Sequence, residues 1–168
     1  MQCPKCNSEM VCKEGTHHYR ESGLDSVYLK GIEIYTCDCG ERLISIPAVP
    51  ELHTLIGRFL IKKNSPLSGK EIRFLRKNMG LTATKLVDYI GVNIATISRW
   101  EKGKYPITKP HDILLRVVYA NIKGISNEEI QHFIKDDFKK IQPKQKNISR
   151  HYIKPEQWSK SDSACATA

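Results

Sequence analysis

The chain has 168 residues, with 27 Lys or Arg against 18 Asp or Glu and a formal net charge of +9. This length suits one ordinary domain or two small ones. Its apolar runs fall well short of the roughly 20 residues that a membrane helix needs, and the polar start MQCPKCNSEM lacks the apolar region of a signal peptide. We therefore expect a soluble cytoplasmic protein, in which paired cysteines hold a metal more often than they form disulfides.

The charge is distributed unevenly along the chain. Residues 1–50 contain five Lys/Arg and seven Asp/Glu, whereas residues 68–104 contain eight Lys/Arg and three Asp/Glu. A neutral-to-acidic head on a basic body indicates two parts with different partners. Basic helices are often merely solvated, so charge alone is a weak indication of binding to a polyanion.

The first 46 residues predict a small β-rich domain. They are rich in β-branched and aromatic residues and are interrupted at Ser22-Gly23 and at Gly31. This pattern predicts short strands near His17–Glu21, Val27–Leu29 and Glu33–Thr36, and another in the sequence ERLISI. The prolines of the sequence PAVP close the unit.

Four of the six cysteines form two close pairs in this domain, Cys3-x2-Cys6 and Cys37-x-Cys39, which are separated by thirty residues. Zinc prefers four soft ligands in a tetrahedron, and cysteine pairs on two tight turns supply them. A unit of about fifty residues has little core, so a structural Zn²⁺ would contribute much of its folding free energy. Four thiolates leave no open position for water, which argues against a catalytic zinc.

The fourth ligand has alternatives. The C-x-C spacing is tighter than the usual C-x2-C, so Cys12 could replace Cys39, and His17 or His18 could compete for the position. The interpretation we favour is that Cys12 is a buried apolar thiol and that both histidines are exposed strand residues. Cys165, near the C-terminus, has no predicted role.

The rest of the chain predicts helices. Residues 47–67 form a linker with a short helix, because apolar residues recur with a 3.6-residue period in ELHTLIGRFLIKK. Residues 68–124 are expected to form an all-α domain, and residues 125–142 an extra C-terminal helix. Residues 143–168 are predicted to be a disordered basic tail, since they are polar and lack sustained periodicity. The predicted fold class is α+β, with a β-rich zinc-binding domain over residues 1–46 that precedes the helices.

Within residues 68–103 the helix signals have the spacing of a helix-turn-helix. Ser68 and Glu71 form a capping box, and Thr82 and Asn93 can cap two further helices on either side of a turn at Gly91. Apolar residues recur at the core-facing positions of these helices: Ile72, Leu75, Leu86, Val87, Ile90, Val92, Ile97 and Trp100. An amphipathic bundle with a solvated basic face would share this period. The caps, the glycine turn, the sequence ISRWEKG and the local charge together favour DNA binding.

The helix that Asn93 caps is expected to enter the major groove, where the N-terminal part of such a helix meets base edges. Its outward face carries the predicted base-reading residues: Ile94, Ala95, Ser98 and Arg99. Arg99 is the candidate for a bidentate bond to guanine, which is worth roughly 1–3 kcal/mol of discrimination. Phosphate contacts, which position the protein without reading sequence, are predicted for six residues: Thr82, Thr84, Lys85, Asn93, Lys102 and Lys104. Glu101 is expected to be structural, pairing with a cation or holding the loop after the helix.

Two parts of the sequence resemble known families. GLTATKLVDYIGVNIATISRWEKGK resembles the helix-turn-helix of the Cro/C1-type repressor (XRE) class, which implies a lambda-repressor-like domain. MQCPKCNSEM through YTCDCGE resembles the YgiT-type zinc finger, and the order of the two parts is similar to that of MqsA-type antitoxins. The resemblance implies zinc on Cys3, Cys6 and Cys37, with the fourth ligand shifted to Cys39. It also implies a homodimer on a palindromic operator with half-sites roughly 34 Å apart, and a toxin partner held by the zinc domain.

These features predict a sequence-specific transcriptional repressor, the antitoxin of a type II toxin–antitoxin pair that represses its own operon. One alternative is a stand-alone zinc-containing regulator, and another is a zinc-ribbon adaptor for RNA or protein whose helices form an interaction bundle. An enzyme is not expected and no catalytic residue is predicted. The sequence has no clear nucleophile–base pair, no phosphate-binding glycine loop and no paired carboxylates in a plausible pocket.

Overall fold

The computed structural model describes residues 1–132 and 150–159, which divide into two compact units. The first unit combines residues 1–52 with the C-terminal segment from residue 148, and the second lies within residues 53–147. A β-sheet region with the paired cysteines precedes the helices, so the predicted α+β class is confirmed. Within the part of the chain that the structure describes, none of the helices has the length and apolar character needed to cross a membrane.

The first unit is built on a four-stranded sheet with β2 in the middle. Its strands are β1 (Val11–His18), β2 (Val27–Thr36), β3 (Arg42–Ser45) and β4 (His151–Ile153). β1 and β3 run antiparallel to β2, whereas β4 runs parallel to it. Alternate residues bury one face of the sheet, as expected for a sheet with one solvated side: Val27, Leu29, Ile32, Ile34 and Ile153.

The predicted break at Gly31 is a bulge inside one continuous strand. Thr16 pairs with Lys30 and Gly15 pairs with Ile32, so Gly31 is an extra residue of β2 with no partner in β1. Its φ of +70° is a conformation that glycine adopts without strain. The two strand segments predicted before and after Gly31 are therefore the two ends of β2.

The strand predicted at His17–Glu21 was placed too late in the sequence. β1 ends at His18, and a 3-10 turn follows at Arg20–Ser22. β1 lies at an edge of the sheet, and none of its eight residues is fully buried. Its sequence therefore lacks the alternation of apolar and polar residues that marks a half-buried strand.

Part of the segment predicted as a disordered tail is ordered, and the prediction is wrong there. β4 pairs with β2, Ile153 is buried, and the indole nitrogen of Trp158 donates a 2.8 Å hydrogen bond to the Pro47 carbonyl. A three-residue strand has too little sequence to show a period, and its partners lie more than one hundred residues away. Residues 133–149 and 160–168 lie outside the described residues, as does most of the helix predicted at 125–142.

The helices begin with α1 at Val49–Lys62, and the rest of the described helices are α2 (Gly69–Asn78), α3 (Ala83–Ile90), α4 (Ile94–Glu101), α5 (Lys109–Ile122) and α6 (Asn127–His132). The three predicted caps are confirmed. Ser68 and Glu71 make both halves of the capping box, Thr82 accepts from the Lys85 amide, and Asn93 accepts from the Thr96 amide. These bonds satisfy backbone donors that the first turn of a helix leaves unpaired.

The core of the second unit contains most of the apolar residues predicted from helical spacing. Six of those eight side chains are buried: Ile72, Leu75, Leu86, Ile90, Ile97 and Trp100. Val87 and Val92 are only half-buried. α5 closes this core with Leu115 and Tyr119.

A buried ion pair in α5, which was not predicted from the sequence, bonds to the connection between α1 and α2. Asp112 and Arg116 are 1% and 0% exposed, and Nε of Arg116 lies 2.5 Å from Oδ1 of Asp112. The remaining guanidinium nitrogens donate to the carbonyls of three residues beyond or at the end of α1: Ile61, Lys63 and Ser65. Asp112 also accepts from the Leu67 amide at 2.6 Å. The pair therefore satisfies buried backbone groups as well as itself, which is the condition for a buried charge to be tolerated.

Candidate nucleic-acid interface and metal centre

Two tight turns bring the four paired cysteines together at one end of the sheet. The first turn precedes β1 and is closed by a 2.9 Å bond from the Asn7 amide to the Cys3 carbonyl. The second joins β2 to β3 and is closed by a 2.9 Å bond from the Gly40 amide to the Cys37 carbonyl. The Sγ atoms of all four cysteines lie within 4.8 Å of one another. We call Cys3, Cys6, Cys37 and Cys39 the thiol cluster.

The spacing of the thiol cluster fits a tetrahedral metal ion. Sγ of Cys3 lies 3.6 Å from Sγ of Cys39, and Sγ of Cys6 lies 3.4 Å from Sγ of Cys37. Four sulfurs at the usual Zn–S distance would be roughly 3.8 Å apart. The four cysteines lie close enough together to bind a metal ion.

The thiols of the cluster do not ionise alike. Hydrogen bonds with the side chain and backbone of Ser8 lower the pKa of Cys6 to about 6. A backbone hydrogen bond with Glu41 favours the Cys39 thiolate, but a hydrogen bond with Cys37 and burial outweigh it and raise the pKa of Cys39 to about 12. Cys6 therefore ionises more readily than an ordinary cysteine and Cys39 less readily, and a bound cation would favour the thiolate form of both.

The alternative ligands do not join the thiol cluster. Cys12 was predicted to be a buried thiol, but it is disulfide-bonded and half-buried, and it packs against the small core formed by Cys3, Met10 and Tyr35. Nε2 of His17 contacts the Glu21 carboxylate at 3.1 Å. Nε2 of His18 donates to the Asp25 carbonyl at 3.0 Å, while its Nδ1 accepts from Arg20. Cys165 lies outside the described residues.

The candidate nucleic-acid interface lies on α4, whose two faces have different surroundings. Ile97 and Trp100 face the core and are 0% and 6% exposed. The predicted base-reading residues lie on the opposite side: Ile94, Ala95 and Arg99 are exposed, and Ser98 is half-buried. Gly91, with φ of +74°, ends α3 and allows α4 to leave in a new direction. α4 therefore exposes polar and apolar side chains on one face, while Ile97 and Trp100 on the other face are buried in the core.

Arg99 combines an exposed guanidinium with one weak contact inside the chain. Its side chain is exposed and makes no ion pair with a described residue. Its guanidinium carbon lies 5.9 Å from the centre of the Tyr105 ring, which is also exposed. A weak cation–π contact of this kind orients a guanidinium but leaves its donors available.

The six residues predicted to contact phosphate are all exposed. Two of them also cap helices, and their remaining donors suit an anion. Oγ1 of Thr82 accepts from the Lys85 amide at 3.1 Å, and its hydroxyl hydrogen can still be donated. Oδ1 of Asn93 accepts from the amide and hydroxyl of Thr96, and its NH₂ group can still donate. Both lie at helix N-termini, where the backbone favours negative charge.

Glu101, the acidic residue closest in sequence to this interface, is neutralised by Arg76, a partner that was not predicted from the sequence. Nε and Nη2 of Arg76 donate to the Glu101 carboxylate at 2.5 and 3.0 Å, and Nη1 donates to the Leu81 carbonyl at 2.8 Å. The hydrogen bond with Glu101 raises the pKa of Arg76. The predicted structural role of Glu101 is confirmed, but the identity of its partner had no signal in the spacing, because the two residues are 25 positions apart.

Comparison with known proteins identifies the class of this domain. Residues 72–111 match the helix-turn-helix family, a range that holds most of α2, all of α3 and α4, and the start of α5. The chain therefore carries an XRE-type helix-turn-helix domain, which supports a DNA-binding transcription regulator. No curated protein shows significant similarity to the chain. The thiol cluster lies outside the matched range.

Proposed function

We propose that this protein is a sequence-specific transcriptional repressor that binds duplex DNA through α4 and carries a structural zinc ion on the thiol cluster. The proposal rests on the difference between the two faces of α4, one buried in the core and the other exposed to solvent. Ile97 and Trp100 hold the helix in the core, while Arg99 extends into solvent with no acidic partner among the described residues.

Base recognition is assigned to the exposed face of α4. Arg99 donates two hydrogen bonds to the O6 and N7 atoms of a guanine, the pairing that the planar guanidinium favours. Ile94 and Ala95, in the first turn of the helix, contact a thymine methyl group. Ser98, which is half-buried on the same helix, adds a hydroxyl contact.

Binding strength comes mainly from phosphates. The exposed cations Lys85, Lys102 and Lys104 and the capping residues Thr82 and Asn93 surround α4 in sequence and supply these contacts, together with Thr84. Counterion release then makes the affinity fall steeply between about 50 and 200 mM salt. Neutralisation of Glu101 by Arg76 keeps an acidic charge from opposing this binding.

Zinc is the metal that the donor set favours. Four thiolates at near-tetrahedral spacing match a structural zinc site and leave no position for a reacting water. The ion would tie the turn before β1 to the turn after β2 and so stabilise a unit with a small core. Its contribution is to folding rather than to chemistry.

A palindromic operator and a homodimer follow from the small size of the recognition helix. α4 has eight residues and reads few base pairs, so two copies related by a two-fold axis are needed for useful specificity. The two half-sites would be separated by one helical turn, roughly 34 Å.

The proposal is tested by selecting bound sequences from a random duplex library and footprinting the consensus. Arg99→Ala should weaken binding to the consensus by roughly 5- to 150-fold and relax the preference at one position of each half-site. Lys85→Ala should weaken binding to all sequences alike. Arg73→Ala is the matched control, because Arg73 is an exposed arginine of α2 outside the proposed contacts. A consensus and footprint that Arg99→Ala leaves unchanged would reject the assignment.

The antitoxin role is a second, narrower proposal. The feature in its favour is the order of the two parts, with a four-cysteine unit ahead of a helix-turn-helix. In that role the first unit holds a toxin and the complex represses its own operon. Copurification of a small basic protein encoded beside this chain, in fixed stoichiometry, tests it. A chain that purifies alone from its host and still represses transcription is a stand-alone regulator.

A further inference from the structure

Three aromatic rings form a row on the solvent-facing side of the sheet in the first unit. His18 of β1, Tyr28 of β2 and Tyr152 of β4 are direct cross-strand neighbours. The ring centres of His18 and Tyr28 are 4.4 Å apart and those of Tyr28 and Tyr152 are 5.4 Å apart, with interplanar angles of 12° and 29°. We call these three residues the aromatic row. They lie on the face opposite the buried one.

Three cations surround the aromatic row. Nζ of Lys30 lies 5.6 Å from the centre of the Tyr152 ring, and the guanidinium of Arg150 lies 5.9 Å from that of Tyr28. Nε of Arg20 donates to Nδ1 of His18 at 3.2 Å. All three cations are exposed, and none makes an ion pair with a described residue. Their charge is thus available to an anionic partner.

The core of the unit does not account for this arrangement. Tyr152 is 51% exposed, and His18 and Tyr28 are only half-buried. Glu14 and Glu33 lie on the same face of the sheet, but they are farther along the strands from the aromatic row. Glu33 also accepts a hydrogen bond from the Tyr35 hydroxyl. Asp25 is closer, and its backbone carbonyl orients His18. Aromatic and cationic side chains therefore lie together on the solvent face of the sheet where β4 is added.

We propose that the aromatic row and its three cations bind a short single-stranded segment of nucleic acid. A base stacks on Tyr152, the exposed end of the aromatic row, while Lys30, Arg150 and Arg20 contact phosphates, the combination by which sheet surfaces hold single strands. A duplex does not suit this surface, because its bases are already stacked on one another. An acidic peptide would satisfy the cations but would leave the rings without a partner. The proposal concerns a different unit from α4 and does not depend on duplex recognition.

The C-terminal segment contributes two of the six residues, Tyr152 and Arg150. The segment is held by pairing of β4 with β2, by burial of Ile153 and by the hydrogen bond from Trp158 to Pro47. The proposed binding surface is therefore complete only when β4 is paired with β2. The C-terminal segment, which is mostly polar, thus completes the proposed binding surface.

The test measures fluorescence anisotropy of labelled oligothymidine and oligouridine strands of about 12 nucleotides with the full-length chain. Tyr152→Ala should weaken binding about 5- to 100-fold, whereas Tyr152→Phe, which keeps the ring, should bind as the parent does. Tyr89→Ala is the matched control, because Tyr89 is a tyrosine of the second unit with 50% exposure. Lys30→Ala should reduce the salt dependence of the affinity. Circular dichroism and metal content establish that each variant is folded.

Arg99→Ala separates this proposal from the previous one. That variant should lose duplex preference and keep its affinity for single strands, and Tyr152→Ala should do the reverse. Preference for one of the two oligonucleotides identifies RNA or DNA as the natural strand. The proposal is overturned if neither strand binds, if Tyr152→Ala binds both as the parent does, or if polyglutamate displaces them as effectively as unlabelled strand.

Discussion

Arg76 of α2 and Glu101, the last residue of α4, form a two-point ion pair across the helix-turn-helix. The guanidinium and carboxylate meet at 2.5 and 3.0 Å, and the two side chains are only 13% and 12% exposed. The third nitrogen of Arg76 bonds to the Leu81 carbonyl, in the link between α2 and α3. One arginine thus connects α2 to the end of α4 and to the link between α2 and α3.

Glu101→Gln tests the contribution of this pair to stability. A neutral amide cannot accept both charged hydrogen bonds, and Arg76 keeps its charge in a mostly buried site. We expect a loss of about 1–3 kcal/mol in the free energy of unfolding, measured by urea denaturation followed by circular dichroism. Asp88→Asn is the control, because Asp88 is an exposed acid of α3. Equal stability of the two variants would show that the pair contributes nothing measurable.

Arg116→Met should be the more damaging change, because the site is fully buried. It leaves the Asp112 carboxylate without its cation and three carbonyls without donors. Breaking such a pair by removing one partner costs about 3–5 kcal/mol, so the helical unit should unfold at much lower denaturant concentration. Arg73→Met, the same substitution at an exposed site, should change little. The double variant Asp112→Leu with Arg116→Met should recover part of the loss, since it removes the uncompensated charge.

Gly69→Ala tests the close approach of α2 to the end of α4. A Cβ at Gly69 would overlap the Trp100 carbonyl oxygen and would lie 2.7 Å from that of Glu101. Both are backbone atoms that cannot rotate away. We expect a loss of about 1–3 kcal/mol in stability and weaker duplex binding, because α4 must shift. Lys70→Ala, at the next position, is the control, and a Gly69→Ala protein with parental melting temperature and affinity would contradict this prediction.

The identity of the fourth metal ligand can be decided by two serine substitutions. Cys39→Ser removes one thiolate of the thiol cluster, so the purified protein should hold less than one equivalent of zinc and release it readily to a chromogenic chelator. Cys12→Ser should keep a full equivalent, because Cys12 packs against Met10 and Tyr35 outside the cluster. Metal content by mass spectrometry reads out both. Full zinc in Cys39→Ser would instead favour Cys12 or a histidine as the ligand.

Several features of the second unit could be predicted from sequence because their causes are local. The caps at Ser68, Thr82 and Asn93 depend on donors three residues away, and the turn at Gly91 depends on the conformational freedom of one residue. The core positions of α2 to α4 follow from the recurrence of apolar residues at the spacing of a helical turn. The pairing of cysteines on two turns was likewise visible in their spacing, and the structure brings those four thiols together.

The features that sequence reasoning missed are contacts between distant residues. Arg76 meets Glu101 across 25 positions, and Arg116 meets the segment after α1 across more than fifty. Arg76 lies among the exposed cations Arg73 and Lys77, so no pattern distinguishes it from them. Arg116 lies in an apolar run four residues after Asp112, but that spacing does not reveal the distant carbonyls that its guanidinium contacts. The bulge at Gly31 was predicted as a break because a glycine with positive φ occurs both in β-bulges and in turns between strands.

The sequence by itself determined the class of each part, since helix caps, turn glycines and cysteine spacing act within a few residues of one another. Only the tertiary structure decided which charges are neutralised and which remain available. It buries Arg116 and pairs Arg76, but it leaves Arg99 in solvent, and it places Tyr152 beside Tyr28 although more than one hundred residues separate them. The reason is physical: the environment of a side chain depends on what the folded chain brings near it, and that proximity is not encoded at the residue itself.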